Sequence, residues 1–132
     1  MTRKALAFLS LALFLVAPVA EAGATALKPL PVLNGVRCRS VINSNGMTGY
    51  SCGRASDLRS YVVTIEIAKR SPYGPRPSDQ HLGSWVRSTR TGVMGNVYVM
   101  VVATRTDGNA KAARTEAAKA ARWLARLNAG AI

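Results

Sequence analysis

Residues 96–128 read NVYVMVVATRTDGNAKAARTEAAKAARWLARLN, and this stretch decides the fold. Residues 97–103 are an unbroken apolar run, rich in β-branched side chains that fit a pleated strand better than a helix. The run is too short to cross a membrane. Because both of its faces are apolar, we expect a central strand that is covered on both sides.

A helix is predicted over Ala110–Asn128, directly after a tight turn at residues 106–108. Asp107 and Asn109 offer side-chain oxygens to the free N–H groups at the helix start, and Gly130 suits its end. One stripe of the helix is apolar and rich in alanine, which lets its axis approach a sheet closely. The residues expected to pack on the sheet are Ala113, Ala117, Ala120, Leu124 and Leu127, with Trp123 packing from the flank of the stripe.

The opposite side of this helix is strongly basic. It carries five cations, which we take as the candidate anion-binding residues: Lys111, Arg114, Lys119, Arg122 and Arg126. The whole chain has a formal charge of +12, which favours anionic partners such as an anionic polymer, an acidic membrane surface or an acidic protein. A solvated basic surface without a partner is the alternative. No groove-reading motif is present, so we do not expect sequence-specific DNA binding.

The N-terminus has the pattern of a secretory signal peptide. A short positive start precedes an apolar segment at residues 5–17, and Ala20-Glu21-Ala22 resembles a cleavage site. We therefore predict a signal peptide over 1–22, an extended segment over 23–33, and a single α+β domain over 34–132 that is secreted or periplasmic. Removal of residues 1–22 takes away two cations and one acid, which leaves 110 residues with a charge of +11.

The two cysteines predict a disulfide-clipped hairpin, because an exported chain favours oxidised thiols. Residues 36–42 alternate in polarity, and the Asn43–Gly46 segment is a strong turn signal before a second strand at 47–53. A three-residue loop, unlike a two-residue turn, places Cys38 directly opposite Cys52. Two thiols and one histidine are too few for a zinc site, so we predict no metal and no cofactor.

The remaining segments complete an α+β fold. Residues 61–69 alternate as a half-buried antiparallel strand, with Tyr61, Val63, Ile65 and Ile67 facing the core. Residues 71–96 allow two interpretations, either a short helix capped by Ser78 or a strand over 84–91 that turns at 92–95. The predicted fold is a small, mostly antiparallel sheet of four or five strands, covered on one face by the C-terminal helix. A homodimer is one way to cover the other face.

Function follows from charge rather than from a catalytic motif. The leading hypothesis is a small exported, basic, non-enzymatic protein that binds an anionic or acidic partner, for example as an inhibitor or immunity protein. The first alternative is a secreted basic ribonuclease that uses Glu66 as base, His81 as acid, and Arg87, Arg90 or Arg105 as phosphate clamp. The second alternative is a structural subunit of a homo-oligomer.

Overall fold

A computed structural model describes residues 27–42, 48–54, 57–70 and 76–130. Across these ranges the chain forms seven strands followed by one helix. The elements are β1 (Val32–Leu33), β2 (Val36–Ile42), β3 (Thr48–Cys52), β4 (Arg59–Ile67), β5 (Ser78–Leu82), β6 (Trp85–Met94), β7 (Val97–Arg105) and α1 (Ala110–Asn128). The predicted signal peptide lies outside the described residues.

The strands form one antiparallel sheet in the order β1-β2-β3-β4-β7-β6-β5. The α+β prediction is therefore confirmed, but the predicted count of four or five strands is wrong. The two additional strands are β1 and β5. β1 has only two residues, and every residue of β5 is exposed, so neither strand shows the apolar alternation by which strands are recognised in a sequence.

The segment before the central strand is a β-hairpin. The strand interpretation of residues 84–91 is confirmed as part of β6, and the alternative helix capped by Ser78 is wrong because Ser78 begins β5. The turn lies later and is shorter than the one predicted at 92–95, since Met94 pairs with Val97 across a tight turn at Gly95 and Asn96. Gly92 therefore lies inside β6, where its backbone packs under α1.

The disulfide-clipped hairpin has the predicted register. Cys38 pairs directly with Cys52, their Cα atoms are 4.0 Å apart, and the two sulfurs are bonded. Ser40 pairs with Tyr50, so these two residues share the face of the disulfide, and Tyr50 is fully buried. The loop that connects the two strands lies outside the described residues. A disulfide in this position is consistent with an oxidising, exported compartment.

The core lies between the sheet and α1. The inward positions of β7 (Val97, Val99, Val101 and Ala103) are fully buried, and β4 contributes Tyr61, Val63 and Ile65 as predicted. The helix spans the predicted residues, and its buried side consists of Ala113, Ala117, Ala120, Ala121, Leu124, Ala125 and Asn128. Small side chains on the helix and Gly92 on the strand let the two backbones come into direct contact.

The orientation of α1 corrects one prediction. Trp123 was expected to pack between helix and sheet, but 41% of its surface is exposed. The buried side extends instead toward Ala121, Ala125 and Asn128, and Leu127 is only partly buried. The reason is the N-terminal segment, which crosses the end of the helix. The backbone N–H of Lys28 donates to the Asn128 side-chain oxygen at 3.1 Å, which fixes this side of the helix against the core.

The face of the sheet that points away from α1, here called the outer face, is not fully covered. The second side of β7 was expected to be closed, yet Met100 and Val102 are half-buried, and Val62 beside Val102 is 53% exposed. Tyr98, on the same side of β7, is buried, so the described residues cover this side in part. No helix among those residues combines the length and apolar character needed to span a bilayer.

Candidate anion-binding surface

The five predicted cations of α1 all lie on its exposed side. Lys111, Arg114, Lys119, Arg122 and Arg126 are classed as exposed, and they lie opposite the buried alanine stripe. The helix that presents them is well terminated. The Asn109 side chain caps its start by accepting the Ala112 N–H at 3.0 Å, as the sequence indicated, and Gly130 has the left-handed backbone (φ +81°) expected just past its end.

The single acid of the helix, Glu116, does not neutralise these cations. Glu116 accepts a hydrogen bond from Arg105 at 2.6 Å and another from the Tyr61 hydroxyl at 2.8 Å. Arg59 lies 3.8 Å from the same carboxylate. Glu116 is therefore turned toward the sheet, and its charge is balanced there by strand arginines rather than by its helical neighbours.

Tyr61 is held in its neutral form by this arrangement. Burial, followed by the hydrogen bond that its hydroxyl donates to Glu116, raises the pKa of Tyr61 from 10.0 to about 12. An ionised Tyr61 would place a negative charge in apolar surroundings, and it could no longer donate a hydrogen bond to Glu116. The pair therefore ties the start of α1 to β4 through a hydrogen bond that persists throughout the physiological pH range.

The charge of Asp107 is likewise balanced by a neighbouring arginine. Arg105 donates two hydrogen bonds to the Asp107 carboxylate, at 3.0 and 2.6 Å, and the backbone N–H of Asn109 donates to the same carboxylate at 3.1 Å. The Arg105 hydrogen bonds, followed by the one from Asn109, lower the pKa of Asp107 to about 2. Arg105 thus links the turn before the helix to Glu116 within it, a role that no sequence pattern had suggested.

A second cluster of hydrogen bonds and ion pairs forms around Asp79 on β5. The buried Ser88 hydroxyl donates to Asp79 at 2.6 Å, and Arg90 lies 3.1 Å from the same carboxylate. The hydrogen bond from Ser88, then that from Arg90, lowers the pKa of Asp79. Arg114 approaches the same carboxylate at 3.7 Å. Arg114 therefore differs from the other helix cations, because it helps to fasten α1 to the edge hairpin.

Four cations remain exposed on the helix without an ion pair among the described residues. We call them the helix cation face: Lys111, Lys119, Arg122 and Arg126. They span 16 residues of helix, or roughly 22 Å for 15 steps of 1.5 Å. The nearby acids form ion pairs with Arg59, Arg90, Arg105 and Arg114. The fold thus separates balanced charges at the sheet from unbalanced ones on the helix.

The residues of the ribonuclease alternative are not brought together. Glu66 pairs with Tyr98 on the outer face, whereas His81 lies opposite the buried Val86 on the helix side of the sheet. Glu66 and His81 are three strands apart, which is roughly 14 Å across the sheet. They are also offset by seven residues of β7, which is roughly 23 Å along the strands.

The candidate clamp arginines are also divided. Arg105 is bound to Asp107 and Glu116. Arg87 lies on the outer face with Thr104, and its buried Nε has no hydrogen-bond partner among the described residues. Arg90 lies on the helix side and is bound to Asp79. Among the described residues, no three side chains of histidine, cysteine, aspartate or glutamate converge in a way that could hold a metal ion.

Two concave surfaces lie where β3 ends and β4 begins, and the sequence predicted neither of them. One, of about 490 Å³, is lined by Arg37, Arg54, Asp57 and Arg59. The other, of about 540 Å³, opens on the outer face next to Val62 and is lined by Arg39, Arg54 and Ser60. The alternation of Arg37 and Arg39 in β2 placed both on the outer side, but only the pairing of β2, β3 and β4 creates the concavity.

Comparison of the sequence with protein-family profiles and curated proteins, and of the fold with solved structures, finds no match.

Proposed function

We propose that this protein is a small, exported, non-enzymatic binder that attaches to an anionic polymer or acidic surface through the helix cation face. The observation that supports this is the placement of four exposed cations along one side of α1, with the only helical acid turned toward the sheet. The helix already holds the backbone of these residues in a row, so no backbone order has to be gained on binding.

An extended polyanion suits this surface better than insertion into a bilayer. The apolar side of α1 is already buried against the sheet, so the helix cannot place it among lipid chains. Only Trp123 offers exposed apolar surface beside the cations. The partner is therefore one that presents repeated negative charge along about 20 Å, such as an envelope polymer or an acidic protein surface.

The proposed site of action is the periplasm or the cell exterior. The predicted signal peptide over 1–22 and the Cys38–Cys52 disulfide support this proposal, because such bonds persist in oxidising compartments. There, an inhibitor or immunity protein that caps an acidic enzyme is one form the function could take. The ribonuclease alternative lacks comparable support, because its base and acid lie on opposite faces of the sheet.

The test compares two variants with equal charge. In the first, the helix cation face is neutralised by Lys111→Gln, Lys119→Gln, Arg122→Gln and Arg126→Gln. In the control, four exposed cations elsewhere are neutralised by Arg37→Gln, Lys69→Gln, Arg70→Gln and Arg76→Gln. Both proteins lose four charges, so retention that depends on net charge alone falls equally in the two.

We expect the helix variant to lose most of its retention on heparin and on anionic vesicles, while the control keeps most of it. Counterion release contributes roughly 0.7 to 0.9 to the log–log salt slope for each contact, so the helix variant should flatten that slope by about 3. Equal losses in the two variants would refute a localised binding face.

A further inference from the structure

A second candidate surface lies on the opposite side of the sheet from α1. The register places Arg39, Ser51, Val62 and Val102 in one row across β2, β3, β4 and β7. The concavity of about 540 Å³ opens beside this row, and Arg54 lines its end. We call it the outer-face cleft and define it by Arg39, Ser51, Arg54, Ser60 and Val62.

Two guanidinium groups and one aliphatic side chain dominate this cleft. Arg39 and Arg54 are exposed, and neither forms an ion pair within the described ranges. Asp57 is nearby, but it accepts the backbone N–H of Arg54 rather than its side chain. Val62 exposes half of its surface in the middle of a four-strand row, so an apolar side chain lies in the open beside the two arginines.

This combination fits a carboxylate that is carried next to an aliphatic side chain. Arginine binds a carboxylate through two parallel hydrogen bonds, and Val62 supplies apolar contact beside it. Single-stranded nucleic acid fits less well, because base stacking requires exposed aromatic rings and the cleft has none. Tyr61 contributes to its wall, but the Tyr61 side chain is buried on the helix side.

A second copy of the chain also fits poorly. Two outer faces would bring Arg39 and Arg54 of one copy toward those of the other. Asp79, Asp107 and Glu116 are already paired with arginines, which leaves only Asp57 beside the cleft and Glu66 on the outer face, among the described acids, to offset them. Charge complementarity therefore selects an acidic partner.

We propose that the outer-face cleft docks an acidic protein through an extended segment in which carboxylates alternate with aliphatic side chains. The carboxylates meet Arg39 and Arg54, and an aliphatic side chain covers Val62. This site is independent of the helix cation face, because the two lie on opposite sides of the sheet. A protein held on a polyanion by α1 would then still present this cleft to an acidic protein partner.

The probes are short blocked peptides, added to the isotopically labelled exported protein and followed by amide chemical shifts. One peptide alternates glutamate with valine, a second alternates glutamine with valine, and a third alternates glutamate with glycine. We expect the first to shift the amides of Ser51, Ser60 and Val62 in a saturable way. The second and third should bind at least about tenfold more weakly, because each lacks one of the two contacts.

Two variants locate the binding. Arg39→Gln with Arg54→Gln should weaken the glutamate–valine peptide about tenfold, and since both residues are exposed, the thermal midpoint should change little. The helix-face variant serves as the matched control and should leave this affinity unchanged. That control also separates the two proposals, since loss of heparin binding by the helix variant is measured independently of the peptide.

Three results would overturn the proposal. The first is peptide-induced shifts centred on α1, or an affinity that the Arg39→Gln and Arg54→Gln changes leave intact. The second is a single-stranded oligonucleotide that shifts the cleft amides more strongly than the peptide does. The third is sedimentation showing a dimer that Val62→Glu dissociates, which would make the outer face an interface between two copies.

Discussion

Replacing Gly92 with alanine should separate α1 from the sheet. Gly92 lies in β6 on the side that faces the helix, with an ordinary strand backbone, so an added methyl group causes no conformational strain of its own. That methyl carbon would lie 2.5 Å from the carbonyl oxygen and 2.6 Å from the carbonyl carbon of Ala121, and 2.9 Å from the backbone nitrogen of Arg122. All three atoms belong to the helix backbone, so no side-chain rotation relieves the clash.

The geometry sets the size of the effect. Ordinary contact begins near 3.4 Å, so the helix would have to move by roughly 0.9 Å. A gap of 0.5 to 1 Å forfeits about a quarter to a half of the dispersion energy of each contact along the alanine stripe. Overpacking of this kind costs roughly 1–3 kcal/mol, while the smaller entropy of the unfolded alanine chain returns about 0.4–1 kcal/mol.

We therefore expect the Gly92→Ala variant to lose about 1.3 kcal/mol of unfolding free energy, the difference between the middles of these two ranges, which corresponds to roughly 5–10 °C in Tm for a domain of this size. Urea unfolding of the oxidised protein, followed by the helical circular dichroism signal, measures it. Thr91→Ala changes the neighbouring residue on the outer face and should stay within about 0.5 kcal/mol. Stability of the Gly92→Ala protein equal to or above that of the parent would refute the close packing of helix and sheet.

Reduction of Cys38–Cys52 should cost roughly 3 kcal/mol of unfolding free energy, because the bond closes a loop of 15 residues; urea midpoints with and without reductant measure it. Tyr61→Phe should cost about 1 kcal/mol at neutral pH through the lost bond to Glu116. Native stability should fall between pH 10 and about 12, where unfolded Tyr61 releases its proton first, and Tyr61→Phe should flatten that decline. Asp79→Asn should lower stability at neutral pH, and the difference from the parent should shrink as the pH falls through the lowered pKa of Asp79 in the folded protein.

Each of these effects has a contradicting outcome. A urea midpoint that does not respond to reductant would show that the hairpin is not clipped. Absorbance of tyrosinate at its usual pH in both Tyr50 and Tyr61 of the native protein would contradict their burial, which raises the pKa of each. The pKa of Asp79 is lowered in the folded protein, so its electrostatic contribution to stability is lost at acid pH. An Asp79→Asn variant that is equally destabilised at acid and at neutral pH would mean that the damage is not electrostatic.

The distribution of ion pairs connects the fold to the proposed surfaces. Arg105 joins the turn before α1 to Glu116 within it, and Asp79 joins the edge hairpin to the same helix through Arg114. Acids that would otherwise offset the basic surface are thus used to fasten α1 to the sheet. The same contacts that stabilise the fold leave both the helix cation face and the outer-face cleft with uncompensated positive charge.

Local signals in the sequence predicted the regular elements well. The bounds of α1, its Asn109 cap and the pairing of Cys38 with Cys52 depend on neighbours close in the chain, so spacing alone defines them. β5 could not be predicted, because its five residues are polar and pair only with β6. The same limit applies to Gly92, which looks like a turn residue until the helix lies above it.

By itself, the sequence determined a basic α+β chain whose terminal helix has one alanine-rich side and one cationic side, because periodicity and composition are properties of neighbouring residues. Only the tertiary structure decided which charges remain free. Glu116 and Arg105 are 11 residues apart, and Tyr61 is 55 residues from Glu116, so their pairing required the packing of α1 on β4 and β7. The outer-face cleft likewise required three strands to lie side by side, since electrostatic and apolar contacts act across space and not along the chain.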